Sequence, residues 1–233
     1  MFKKLIDISE QFLFPRVCLA CSGRLSSKEL YICESCLKKR YTDPNPEKNK
    51  TCEGILLPDT VYFQDALWRF DSGGSLQELL HNLKYTGVGK IGIILGELLG
   101  KKVKLNPGFQ LWKENKNEIL ITSVPLHPKK YRIRGYNQAH KIAIGVSAGL
   151  EEKLLGFNGL NRTRYTETQT HFTHEERIKN MQDVFVADTN LVNGKCILVV
   201  DDVFTTGATS YACAEALITA GAKSIGIITI AVA

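Results

Sequence analysis

The sequence predicts an α/β protein, a parallel sheet flanked by helices, with a small cysteine-rich module ahead of it. Three observations predict this. Residues 197–200 (Ile-Leu-Val-Val) form an apolar run without polar alternation, the pattern of a parallel strand buried on both faces. Residues 118–124 and 224–233 also read as strands, with helical patterns between the runs. Near the start stand two CxxC pairs, Cys18/Cys21 and Cys33/Cys36, separated by eleven residues, a spacing that offers four thiolates to one tetrahedral ion.

At 233 residues the chain suits a large domain with a small appendage. We divide it into residues 1–58 (N-terminal helix, zinc-binding module and linker), 59–116 (a hood of helix and strand) and 117–233 (the ligand-binding α/β domain). The formal charge of +6 is modest and permits phosphate-bearing partners without demanding them. No apolar segment approaches the roughly 20 residues that span a bilayer, so no membrane insertion is expected. Residues 1–14 mix Phe2, Leu5, Ile6, Phe12 and Leu13 with Lys3, Lys4, Asp7 and Glu10. That pattern reads as an amphipathic helix and not as a leader, and a cytoplasmic protein is expected.

Pro15 ends that helix and the cysteines follow. In a reducing compartment disulfides are disfavoured, so structural zinc on Cys18, Cys21, Cys33 and Cys36 is the expected use. The competing reading is buried or redox-active thiols without metal. Residues 38–58 are rich in Asp, Pro, Asn, Lys and Glu and read as a linker, with Cys52 alone inside it. Residues 61–70, aromatic and apolar, suit a strand or two. Leu76, Leu79, Leu80 and Leu83 follow the spacing of a buried helical face. Lys84, at its end, is either a complement to the helix dipole or a ligand-binding group. A second apolar helix covers residues 91–102, and Asn106-Pro107-Gly108 reads as a turn.

After the strand at 118–124, residues 119–150 contain no acid, while Lys129, Lys130, Arg132, Arg134 and Lys141 crowd together. Like charges in one strand-to-helix loop cost stability, and pyrophosphate bound there would offset that cost; a solvated loop is the alternative. Ala139, Ile142, Ala143 and Val146 mark the buried face of the next helix. Residues 160–186 are polar, rich in Thr and Arg, and too long for a simple connection, so they read as a lid or a surface hairpin.

The stretch from Ile197 to Thr209 organises the rest. The apolar strand runs into Asp201 and Asp202, two apolar residues, Thr205-Thr206-Gly207, Ala208 and Thr209, and then a helix to about Ala220. Backbone amides and the positive helix end at such a turn hold an anion. Gly207 permits close approach, and the threonine hydroxyls add donors. Ionised carboxylates repel phosphate, so Asp201 and Asp202 belong on sugar hydroxyls beside it. Helix capping is the plainer alternative. A sugar-phosphate site is excluded if Asp201 and Asp202 are both locked in internal salt bridges and the 205–209 amides are covered by other protein groups.

This run resembles the phosphoribosyl-pyrophosphate (PRPP) loop of the type I phosphoribosyltransferases, with Phe204 where Ile, Leu or Val is usual. The wider order resembles the ComF family: the double CxxC, His81-Asn82-Leu83-Lys84-Tyr85, Val124-Pro125-Leu126-His127, Arg134-Gly135-Tyr136-Asn137-Gln138, Arg162-Thr163-Arg164 with Gln169, Arg177 with Asn180, Phe185 and the acidic loop. The resemblance implies a type I phosphoribosyltransferase-like parallel sheet flanked by helices, with an N-terminal zinc region. It implies catalytic roles for Asp201, Asp202 and Arg164. It also implies a PRPP site, with Mg²⁺, on Asp201, Asp202, Thr205, Thr206, Gly207, Ala208, Thr209, Lys129, Arg132 and Arg134. Residues 160–186 would then be the lid that excludes water. The family is linked to natural competence, so single-stranded DNA and other competence proteins are expected partners.

Three functions are weighed: a phosphoribosyltransferase, a single-stranded DNA binder using Lys129 to Lys141 with Tyr131 and Tyr136, and a PRPP-sensing regulator. No GxxxxGK[ST] is present, which argues against a DNA motor. Many family members carry further cysteines after the second CxxC; before Cys196 this chain has only Cys52 there.

Overall fold

The computed structural model describes residues 16–39, 58–70, 74–85, 88–114, 118–156, 158–164 and 184–233. The expected helix at 1–14, most of the linker with Cys52, and residues 165–183 of the expected lid lie outside them. Among the described residues no helix is long and apolar enough to cross a membrane.

The main sheet has five strands, all parallel: β1 (Val61–Arg69), β2 (Ile119–Ser123), β3 (Lys153–Leu154), β6 (Cys196–Phe204) and β7 (Ser224–Val232), in the order β1-β7-β6-β2-β3. Ile197 to Val200 are buried on both faces, as the unbroken apolar run requires. Residues 61–70 give one strand, paired along its length with β7. The 59–116 stretch therefore supplies an edge of the same sheet as residues 117–233.

Helices α2 (Ser75–Tyr85), α3 (Gly89–Lys104) and α6 (Gln138–Leu150) pack on one face, in a core with Leu198 and Val200. Helix α8 (Ala208–Thr219) packs on the other, with Ile197 and Val199. The short α1 (Glu34–Lys39) runs into the expected linker. Between α3 and β2 lies α4 (Pro107–Glu114), where the sequence reads as a turn. Proline fits the first turn of a helix because its missing N–H has no intrahelical partner there. Asn106 Oδ1 accepts the Gly108 amide at 2.9 Å. This helix buries Phe109 and Trp112 against Phe63 of β1.

Two expected loops hold regular structure. The cationic segment is a helix, α5 (Pro128–Arg134). His127 Nδ1 accepts the Lys129 amide at its start, and Gly135 closes it at φ 77°, a left-handed geometry open to glycine. The ends of the 160–186 stretch form an antiparallel ribbon, β4 (Leu160–Arg162) with β5 (Phe185–Ala187), followed by the four-residue α7 (Thr189–Val192).

Helices α3 and α6 approach closely because glycines face each other. A Cβ on Gly96 would overlap the Ile142 carbonyl, and one on Gly145 the Ile93 carbonyl. Gly100 and Gly149 leave similarly little room, 2.8 Å to Val146 O and 2.7 Å to Glu97 O. Gly96→Val is expected to destabilise the protein by about 3 kcal/mol or more in urea unfolding. Gly156→Ala, with open space around it, should change stability by less than about 0.5 kcal/mol.

Candidate functional site

The site follows from a divergence in the sheet. Strands β2 and β6 are parallel neighbours, with Ser123 opposite Val200. From β2 the chain passes through α6 to β3; from β6 it passes through α8 to β7, away in the other direction. Where connections leave adjacent strands in opposite directions, a crevice opens beyond their carboxyl ends. The acidic loop ends β6 at this crevice, and the cationic α5 follows β2. Asn137 fastens the far end of α5 to the end of β2: its Nδ2 donates to Val124 O at 2.9 Å, and its Oδ1 caps α6 by accepting from Ala139 and His140.

At the β6 end, Gly207 starts α8 at φ 76° with no side-chain cap. Capping therefore does not account for Thr205 and Thr206. A Cβ on Gly207 would lie 3.0 Å from the Phe204 ring. Phe204 is buried in the α8-side core, so its bulk fills space beneath the turn and does not face the crevice. The amides of Thr205 through Ser210 donate to no group among the described residues, as the first turn of a helix leaves them.

Strand alternation sends the two aspartates to opposite faces. Asp202 is buried on the α2 side, where Lys84 Nζ lies 2.8 Å from its Oδ2. Among the described residues no further donor reaches that oxygen. Asp201 is aligned with the α8-side core, and its charge helps hold the buried Cys213 thiol above its usual range, after burial itself. Asp201 Oδ1 accepts the Asp202 amide at 2.8 Å, and Asp202 Oδ1 the Val203 amide at 2.9 Å. Burial, then the neighbouring Asp202 charge, push the Asp201 carboxyl well above the usual carboxylate range. Burial pulls the Lys84 ammonium down, but Asp202 and then Asp201 outweigh it and leave it raised. The condition that would exclude a sugar-phosphate site is not met: the amides are uncovered among the described residues, and of the two aspartates only Asp202 is in an internal ion pair.

Helix α5 sorts its cations. Lys130 and Arg134, four residues apart, lie on one side and are partly buried; Lys129 and Arg132 are exposed on the outer side with Tyr131 and Ile133. Burial, then the charges of Arg162, Arg134 and Lys84, hold the Lys130 ammonium below its usual range. Arg134 is positioned by Gln138 Oε1 at 2.9 Å and by the Tyr85 ring 5.3 Å away. Arg162 stacks on Phe185, while Arg164 is exposed at the end of the ribbon. The structure thus gathers Lys84, Lys130, Arg134 and Arg162 around the acidic loop. The sequence names Arg134, with Lys129, Arg132 and Arg164, and leaves Lys84 between a dipole and a ligand role; Lys130 and Arg162 are not among its site residues. The helical spacing from Lys130 to Arg134 was the signal available; Arg162 had none beyond its motif. Past the β2 end opens a cavity of about 570 Å³, with Tyr131, Tyr136, His140, Lys141 and Arg162 in its wall and no acid among its lining residues.

The four cysteines form a second centre. The sulfurs of Cys18, Cys21, Cys33 and Cys36 lie within 4.8 Å of one another, with Cys21 and Cys33 at 3.8 Å. A tetrahedral ion with bonds of about 2.3 Å needs sulfurs roughly 3.8 Å apart, so the set fits zinc. The Cys33 amide donates to Cys18 Sγ and the Cys36 amide to Cys33 Sγ, which orients the ligands. Burial opposes ionisation of Cys18, but amide hydrogen bonds from Cys33, Ala20 and Cys21 bring its thiol down to about 7. Burial raises Cys33 and Cys36.

Residues 141–232 match the phosphoribosyl transferase domain family. Over 225 residues, 91% of this chain and 95% of the relative, the chain is 28% identical to "DNA utilization protein YhgH" of Escherichia coli K12. It is 30% identical to the Salmonella typhimurium protein of that name over 65% of each. It is 23% identical to "Competence protein ComFC" of Bacillus subtilis over 96% of this chain and 89% of that one. The domain match starts in α6, whereas the full-length relatives extend across the cationic helix and into the N-terminal region. The parallel sheet, the acidic loop at its divergence, the four-cysteine cluster in front, the domain match and these relatives together support a ComF-family, phosphoribosyltransferase-like protein.

Proposed function

We propose that the crevice binds PRPP as its Mg²⁺ complex and that the protein acts as a phosphoribosyltransferase in the handling of incoming DNA. One juxtaposition carries this reading: uncovered amides at the start of α8, a pair of carboxylates, and clustered cations meet at one crevice. The amides of Thr205, Thr206, Gly207, Ala208 and Thr209 suit the 5′-phosphate. Asp201 and Asp202 suit the ribose hydroxyls, and Lys130, Arg134 and Arg162 suit pyrophosphate. Mg²⁺ would enter with the pyrophosphate oxygens and share their charge. The chain's own part in transfer is electrostatic: cations neutralise the departing group while the aspartates face the positive charge that develops on the sugar. The relatives' names, DNA utilization and competence, support the biological setting, and a cytoplasmic location goes with it. Zinc is our assignment for the four-thiolate cluster, since a closed four-sulfur set leaves no position for water and suits a structural role.

A second reading has its own support. The outer side of α5 presents Lys129 and Arg132 with the half-exposed Tyr131, a surface on which single-stranded DNA can pair phosphates and stack a base. Lys129 and Arg132 lie on the side of the helix away from Lys130 and Arg134, which makes the two readings separable.

Calorimetric titration of PRPP with Mg²⁺ should give saturable binding that Asp202→Ala abolishes. Lys130→Ala and Arg134→Ala should each weaken it about tenfold, as loss of a charged hydrogen bond does, while Lys129→Ala and Arg132→Ala stay near wild type; no binding to the wild-type protein overturns the proposal. DNA binding, if it uses the outer side, should reverse that ranking, with Arg132→Ala lowering the salt slope by about one. Elemental analysis of protein purified without chelator should return zinc at one ion per chain, and Cys36→Ser should lose it.

Asp201 gives a pH test. A carboxyl raised on folding contributes stability that is complete below its unfolded value, 3.8, and is lost as pH rises through its folded value. Asp201→Asn keeps the acceptor and removes the charge. It should therefore raise the melting temperature at neutral pH by roughly 2 °C or more, with the gain vanishing below about pH 4, and it should weaken PRPP binding.

A further inference from the structure

Helix α2 touches both centres. Asn82 Nδ2 donates to Leu19 O at 2.9 Å, and Leu19 lies between Cys18 and Cys21. Leu83 O accepts from the Tyr136 hydroxyl, just beyond the cationic helix. Lys84 Nζ sits 2.8 Å from Asp202 Oδ2. Residues two apart on a helix point to different sides, so Asn82 can hold the cysteine module while Lys84 faces the acidic loop. They stand only about 3 Å apart along the axis. Leu76, Leu79, Leu80 and Leu83 share one core with Cys18, Ala20, Leu25, Ile32 and Cys36.

We propose that α2 couples the two centres, with Asn82 as the positioning residue: a metal on the four cysteines holds Lys84 against Asp202, and the two sites bind cooperatively. This rests on the reading of the crevice as a PRPP site. The physical basis is the smallness of the cysteine module. Its described part, residues 16–39, buries only Cys18, Ala20, Leu25, Ile32 and Cys36, too little to hold a fold without a cross-link or metal. Without an ion, four sulfurs within 4.8 Å of one another must keep protons or separate. The Leu19 carbonyl then shifts, and the bond that anchors the last turn of α2 goes with it. Lys84 is partly buried, and only the Asp202 and Asp201 charges keep its ammonium favourable there. A small displacement weakens that attraction steeply and leaves two adjacent carboxylates uncompensated, a poor seat for ribose hydroxyls. Linkage makes the effect reciprocal, so the sugar phosphate must also retain the metal.

The test uses the full chain. Zinc-loaded wild type, metal-stripped wild type and zinc-loaded Asn82→Ala are titrated with PRPP and Mg²⁺, and zinc extraction by 4-(2-pyridylazo)resorcinol is timed with and without PRPP. Asn82→Ala should keep one zinc per chain yet bind PRPP roughly fivefold or more weakly, as should the stripped protein. PRPP should slow zinc extraction from wild type and not from Asn82→Ala. Val192→Ala, in the opposite core, controls for general loss of stability and should leave both readouts unchanged. Equal PRPP affinity in wild type and Asn82→Ala overturns the coupling and leaves the PRPP reading intact. If wild type binds no PRPP, that reading falls, and the coupling is judged without it. Lys84→Met should then release zinc faster than wild type or Val192→Ala, and an unchanged rate overturns it.

Discussion

The pairing of β2 with β6 is the constraint on which the rest of the molecule depends. Two parallel strands lie side by side while their connections leave in opposite directions, so no helix can cover the gap beyond their ends. Everything chemically distinctive is delivered to that gap by short links. Asp201 and Asp202 end one strand, the Thr-Thr-Gly turn and α8 follow at once, and α5 hangs from the other strand with Asn137 fastening its far end. The core beneath is apolar and close-packed, with Ile121, Leu198, Val200 and Ile228 fully buried, so the rims of the crevice are held at fixed separation.

The electrostatics of the crevice are unfavourable on both sides in the free protein. Burial, then the cations crowded along the inner side of α5 and the ribbon, lower the Lys130 ammonium; opposite them, burial and then the Asp202 charge raise the Asp201 carboxyl. Lys84 is the only contact among the described residues that joins the two sets as an ion pair. A site that keeps like charges together gives up stability in favour of binding, a common balance in binding sites. On the proposed reading PRPP would meet both halves, with anions for the cations and neutral hydroxyls for the acids.

The cysteine module sits on the same structural path. Its sulfurs and α2 share one hydrophobic core, and the helix that fills that core ends at Lys84. Under the proposed reading, a small metal-linked module placed against this helix would stiffen it without touching the ligand.

Some of this was legible in the residues alone. The apolar run at Ile197 to Val200 determined a buried parallel strand, the acids and Thr-Thr-Gly after it determined an anion-ready turn, and the spacing of four cysteines determined a tetrahedral cluster. Each depends on contacts between near neighbours in the chain, or on a period that sequence displays directly. Other features were decided only by the tertiary structure. Val61–Arg69 became an edge strand because β7, far along the chain, offered it a partner. Pro107 opened a helix because Phe109 and Trp112 had Phe63 to pack against. Composition counted the cations of 129–134 as one patch; folding into α5 divided them between crevice and solvent. The pairing of Lys84 with Asp202 joins residues more than a hundred positions apart. No local pattern encodes such a contact, because it exists only once the sheet has ordered its strands.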